Sequence, residues 1–120
     1  MYKKIIIALL ISIGILSFQS CTTAILDEGN VNSLPPINTP VKYNPDVKTI
    51  MTNNCITCHG GSAPNAGLDL TNYTNVSTSI LGNLLNRVND AQNPMPPSGL
   101  MLPIDRQKLQ KWLDDGLPEN

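Results

Sequence analysis

The run Cys55-Ile56-Thr57-Cys58-His59 sets two thiols three positions apart and an imidazole directly after the second. On a helical turn, that spacing lets both thiols reach the two vinyl groups on one edge of a porphyrin. It also holds the imidazole beneath the ring, aimed at the iron. C-x-x-C-H is accordingly the attachment pattern of c-type haem, one haem per motif. Three other chemistries use the same residue types. A structural zinc needs four ligands, and the motif offers Cys55, Cys58 and the chain's single histidine, His59. A thioredoxin-type redox pair sits near a βαβ pattern, which this sequence lacks. A disulfide between Cys55 and Cys58 closes a loop too short to constrain much of the unfolded chain. Haem leads; zinc and a disulfide remain the alternatives.

A six-coordinate haem needs a second axial ligand, and no second histidine exists. Methionine is the natural candidate, because a His/Met pair raises the reduction potential. Met51 lies four residues before Cys55 and reads as a core residue of the preceding helix. Met95 sits in Asn93-Pro94-Met95-Pro96-Pro97, where three prolines restrict the backbone that carries the thioether. Met101, followed by Leu102-Pro103, reads as packing at the start of the last helix. Met95 is the expected distal ligand and Met101 the alternative.

Outward from the motif, the periodicity is helical. Asn44-Pro45-Asp46 offers an N-cap, a first-turn proline and a first-turn acid. Val47, Ile50 and Met51 then line one face of a short helix running into Cys55. A middle helix is predicted over about 75–88, with Val76, Ile80, Leu81, Leu84, Leu85 and Val88 apolar and Gly82 as its weak point. The last helix takes Asp105 as its cap and Leu109, Trp112 and Leu113 as its stripe. Gly116 and Pro118 stop it. No stretch alternates as a strand does. The fold expected is all-α with long loops.

The N-terminal third has a different character. Lys3 and Lys4 precede the 12-residue apolar run Ile5 to Leu16, a length that suits an export signal and is too short to span a bilayer. For cleavage before Cys21, Ser20 is small but Phe18 is bulky, which argues against the ordinary signal peptidase. The segment resembles a bacterial lipoprotein signal, although Phe18 and Gln19 replace the usual residues. That resemblance implies a lipid on Cys21, anchoring the mature N-terminus at a membrane surface; the alternative is an unpaired thiol. Residues 1–20 are thus expected to be the signal, 21–43 a flexible tether rich in turn formers such as Pro35-Pro36 and Thr39-Pro40, and 44–120 the domain.

Loss of Lys3 and Lys4 leaves six basic residues of the original eight, against nine acidic ones. With no Lys/Arg cluster, a nucleic-acid binder is excluded. Of the aromatic residues, Tyr43, Tyr73 and Trp112 remain in the domain. A domain this small needs a staple or a cofactor to complete its core.

Residues 44–120 resemble a small monohaem, class I-like cytochrome c domain of periplasmic and membrane-anchored bacterial proteins. The matching elements are Cys55-x-x-Cys58-His59-Gly60-Gly61, Gly67-Leu68-Asp69-Leu70 with Tyr73 after it, Met95-Pro96-Pro97, and the closing Trp112 and Gly116. The resemblance implies that Cys55 and Cys58 bind haem, His59 is the proximal ligand and Met95 the distal one. It implies helices packed around one covalent haem, the first and last in contact. A ligating histidine usually donates its second N–H to a carbonyl; Pro64 is a candidate acceptor, or a simple turn residue. Arg87 is either a partner for a haem propionate or a solvated helix-end charge. Trp112 is expected in the core against Val47 and Ile50.

The function expected is electron transfer on the periplasmic side of a membrane, with redox proteins as partners and no enzymatic activity. No acid/base pair, activated nucleophile or phosphate loop is present. The alternatives are an open haem that reacts with peroxide or binds a gas, and a haem module docked in a larger oxidoreductase. Thr22 after Cys21 lacks the acidic inner-membrane retention signal, so the outer membrane is the expected anchor.

Overall fold

Asn72 begins the helical hairpin at the centre of the chain, its side-chain oxygen accepting from the Asn75 N–H at 2.9 Å. The structure is a computed structural model, which describes residues 31–120. The expected signal, the lipidation site Cys21 and the first part of the tether lie outside the described residues. Four helices follow: α1 (Lys48–Asn54), α2 (Tyr73–Leu81), α3 (Leu84–Asn89) and α4 (Pro103–Asp114). No strand occurs among the described residues, so this part of the chain is all-α with long loops. No helix among them is long and apolar enough to cross a membrane.

The middle helix predicted as one piece is two. It starts earlier, behind the Asn72 cap, and breaks at Gly82-Asn83. Gly82 adopts φ −90° and ψ −106°, and its N–H is shared between the Thr78 and Ser79 carbonyls. Glycine is the residue least penalised for leaving helical geometry. Leu81, the last residue of α2, lies off the face that buries Val76 and Ile80, and it is 68% exposed.

Asn44 does not cap α1. Its side chain makes no cap hydrogen bond, the Val47 N–H donates to the Lys42 carbonyl at 3.2 Å, and the Asn44 N–H donates to the Glu119 carbonyl at 3.0 Å. The Tyr43 N–H likewise donates to the Pro118 carbonyl at 2.8 Å. Pairing with the C-terminal segment therefore holds this stretch out of the helix, and a wide turn, Tyr43–Val47, leads into α1. Asp105 is not the cap of α4 either. Pro103 begins that helix after Leu102, and Asp105 lies in its first turn, near the positive end of the helix dipole.

The core joins the turn, α1, α2, α3 and α4 through one set of buried side chains. Val47, Ile50, Met51, Val76, Ile80, Val88, Leu109 and Trp112 belong to it. The domain's three aromatics meet in it, with ring centroids 5.5 Å apart for Tyr43 and Tyr73, 6.0 Å for Tyr43 and Trp112, and 6.2 Å for Tyr73 and Trp112. Trp112 shares the core with Val47 and Ile50, as expected. α4 packs on the Tyr43–Val47 turn and on α3, and α2 packs on α3.

Within the stretch 21–43 expected as a flexible tether, residues 31–43 pack on the helices. The turn Val31–Ser33 lies against α4, Ile37 packs on the core, and Gln107 donates to the Pro35 carbonyl at 3.1 Å. Val41 is only 2% exposed, and its N–H donates to the Asp115 carboxylate at 2.9 Å. These side chains carry no periodicity, because tertiary contact rather than a helix or strand buries them. Full burial of a residue such as Val41 or Tyr43 contributes about 1.5–3 kcal/mol. A chain beginning at residue 44 should therefore be less stable than one beginning at residue 31 by about 3–6 kcal/mol, read from urea denaturation; equal midpoints would restore the boundary at residue 44.

The carboxylates at the loop closures set the acid limit. The Lys111 ammonium and the Val41 N–H hold the Asp115 carboxyl below its ordinary 3.8. Thr71 does the same for Asp69, and the Asn93 and Gln92 amides do so for Asp90. A carboxylate with a depressed folded-state pKa stabilises the fold above its unfolded value and loses that contribution as pH falls through the folded one. Urea midpoints should thus be flat well above the ordinary 3.8 and fall below it, and Asp115→Asn should show a shallower fall.

Candidate cofactor site

The turn that follows α1 carries the thiols and the imidazole. The Cys55 N–H donates to the Met51 carbonyl at 2.9 Å, extending the helical hydrogen bonding one step past Asn54. The Cys58 and His59 amides then both donate to the Cys55 carbonyl, at 3.1 and 2.9 Å. Gly60 is required immediately afterwards, since a β-carbon there would stand 2.7 Å from the Ile56 carbonyl oxygen. From the other side, the Leu70 N–H donates to the His59 carbonyl at 2.7 Å, and the Asn65 N–H to that of Cys58 at 2.9 Å. The loop from Gly60 to Leu70 is thereby folded back over the motif.

Beside this turn is a cavity of about 370 Å³. Cys55, Cys58, His59 and Met95 all line it, with Leu68, Leu70, Leu84, Val88, Pro96 and Pro97 supplying an apolar wall. Met95 reaches it because its N–H donates to the Arg87 carbonyl at 3.0 Å, fastening the middle of the loop to α3. The Asp90 carboxylate turns the first part of that loop by accepting from the Gln92 and Asn93 amides, at 2.8 and 3.1 Å. Met101 and Met51 do not line the cavity; both are buried in the core. Of the two methionines of the loop, Met95 lines the cavity and Met101 does not.

Other expectations fare differently. Arg87 lines the cavity and also pairs with Asp90 at 3.6 Å, so its guanidinium is at once a cavity residue and a half-exposed helix-end charge. The Pro64 carbonyl accepts from the Gly67 N–H at 3.0 Å, a turn role. His59 Nδ1 is buried and has no hydrogen-bond partner among the described residues. Cys55 and Cys58 are free thiols, and among the described residues no three His, Cys, Asp or Glu side chains group as metal ligands. A cavity with two free thiols, an imidazole and a thioether on a mostly apolar wall suits a large, flat, apolar group better than a bare ion.

The roles of Leu84 and Arg106 were not legible beforehand. Leu84 faces the cavity because the break at Gly82-Asn83 re-aims α3, and a glycine inside an apolar stripe was the available signal. Arg106 falls three residues before Leu109 and seven before Leu113, on the stripe of α4, and is itself buried. A charged residue in register with a core face was the signal there.

Compared with known proteins, the chain matches no family model, no curated protein and no solved structure.

The two thiols differ in surroundings. Burial pushes the Cys55 thiol up to about 11, whereas Cys58 is exposed. Since the thiolate is the nucleophile, Cys55 stays protonated through neutral pH. In the chain without attached cofactor, iodoacetamide at neutral pH should modify Cys58 well before Cys55, as peptide mass spectrometry would show; equal rates would contradict this arrangement.

Proposed function

We propose that this protein is an exported electron carrier with a cytochrome c-like domain, holding one covalent c-type haem in the cavity beside the Cys55–His59 turn. The observation that carries the reading is the meeting of four side chains from distant parts of the chain on one apolar cavity: Cys55, Cys58, His59 and Met95. Residues 55–59 and Met95 are joined by no local structure. Their meeting is what a two-sided iron site requires.

On this reading Cys55 and Cys58 would hold the haem covalently, and His59 and Met95 would hold its iron. When bound, the haem supplies a one-electron ferric/ferrous couple. The chain's own residues set the conditions for it. Leu68, Leu70, Leu84 and Val88 exclude water, which penalises the extra charge of the ferric state. The Met95 thioether favours the ferrous state in the same direction. If His59 and Met95 both held the iron, no open position would be left for a substrate, and the role would be carriage of electrons between redox proteins rather than catalysis.

We further propose that Cys21 carries the lipid anchor and that the domain sits on the periplasmic side, at the outer membrane.

Absorption spectra of the exported protein and two variants test this function. Replacing Cys55 and Cys58 by Ala should remove haem staining from the band in denaturing electrophoresis. Met95→Ala should abolish the sulfur-to-iron charge-transfer band of the oxidised protein, lower the reduction potential and admit carbon monoxide. Met101→Ala should keep the band and cost about 2–5 kcal/mol of stability, since its side chain is buried in the core. Loss of the band in the Met101 variant alone would move the ligand role there; absence of the band from the unchanged protein would favour an open haem.

A further inference from the structure

Arg106 is the one charged side chain buried in the core of the described residues, 4% exposed. Burying a guanidinium among apolar side chains is costly unless its N–H groups are hydrogen-bonded. Two of its bonds span the base of the methionine loop. Nε donates to the Met101 carbonyl at 3.2 Å, and Nη1 donates to Asn89 Oδ1 at 3.0 Å. Asn89 ends α3 and is tied to it by its own amide, which donates to the Leu85 carbonyl at 2.8 Å. Met101 is the last buried residue before α4. A single planar fork thus joins both ends of the segment that carries Met95.

The rest of that loop is weakly held. Its tip has the Met95 N–H on the Arg87 carbonyl and the Gly99 N–H on the Pro96 carbonyl, at 3.0 and 3.2 Å, and residues 91–93, 97 and 98 are exposed. Prolines restrict individual residues but do not fix where the loop's two ends stand relative to each other. The apolar contacts of Met101 and Val88 act outside that span.

We infer that Arg106 is a positioning residue for the distal ligand: by clamping Asn89 to the Met101 carbonyl it sets how firmly Met95 is presented to the cavity, and so how readily that ligand is displaced. The inference rests on the proposed His59/Met95 ligation. A ligand held by a loop competes with any added ligand in proportion to the fraction of time it is released. One hydrogen bond to a charged group, lost from the clamp, corresponds to roughly a tenfold change in that fraction.

The test uses the haem-loaded, full-length mature protein and three variants: Asn89→Ala, Asn89→Asp and Arg106→Lys. Asn89 is exposed, so its replacements leave the core intact even if Arg106→Lys folds poorly. Two readouts are taken: displacement of the sulfur-to-iron band of the oxidised protein by added imidazole, and amide hydrogen exchange. Asn89→Ala should raise the apparent imidazole affinity about tenfold. It should also speed exchange at the Met95 amide while leaving Leu109 and Trp112 unchanged. Arg106→Lys should act in the same direction. Asn89→Asp, which keeps an acceptor and adds a charge, should bind imidazole no better than the natural protein. Unchanged imidazole affinity in Asn89→Ala and Arg106→Lys, in a protein whose band depends on Met95, would overturn the clamp and leave the electron-carrier reading standing. Exchange that quickens equally at Met95, Leu109 and Trp112 would also overturn it, as a general loss of stability. A natural protein without a Met95-dependent band would overturn both.

Discussion

Trp112 closes this chain on itself, and the positions of the other parts follow from it. The indole is fully buried, stacked obliquely on Tyr43 and edge-on to Tyr73, and its N–H donates to the Pro118 carbonyl at 3.0 Å. It therefore connects the segment before α1, the start of α2, the middle of α4 and the tail in one contact group. Tyr73 completes the group by donating its hydroxyl to the Leu117 carbonyl at 2.9 Å. Leu117 can offer that carbonyl because Gly116, at φ 84°, turns the tail back across α4. With so few aromatics, each rotamer-restricted ring contributes a large share of the buried area.

Away from that cluster the molecule is organised around a space rather than around packed side chains. The turn after α1 and the loop before α4 each present donor atoms to the cavity, and neither is a regular element. Both are instead fixed by backbone and side-chain hydrogen bonds to neighbouring segments. Leu70 and Asn65 hold the turn; Arg87 and Arg106 hold the loop. Irregular segments of this kind satisfy their polar groups individually, which costs sequence at many positions but lets side chains converge from directions that helices do not offer. On the proposed reading, two faces of one flat group require that convergence.

The acidic residues divide along the same lines. Asp69, Asp90 and Asp115 close local turns or tie segments together, and their partners lower all three carboxyl pKa values. Asp46 pairs with Lys108 across the α1–α4 side at 3.7 Å, a half-exposed contact of small energetic weight. None of these carboxylates lines the cavity.

Local chemistry settles what can be read without a structure. The spacing of Cys55, Cys58 and His59, the prolines around Met95, the absence of strand periodicity and the apolar stripe of α4 are all properties of near neighbours, and they pointed to a helical domain with one cofactor-binding turn and Met95 over Met101. Tertiary structure decided the rest, because each remaining feature depends on a partner far away in the chain. Asn44 leaves its cap position for Glu119, Val41 leaves the tether for Asp115, and Leu84 faces the cavity only once Gly82 has ended α2. Arg106 lies on an apolar stripe, and a stripe shows where a side chain points without showing that the guanidinium finds Asn89 and Met101 there. Periodicity records which face is buried; only the packed chain records what that face meets.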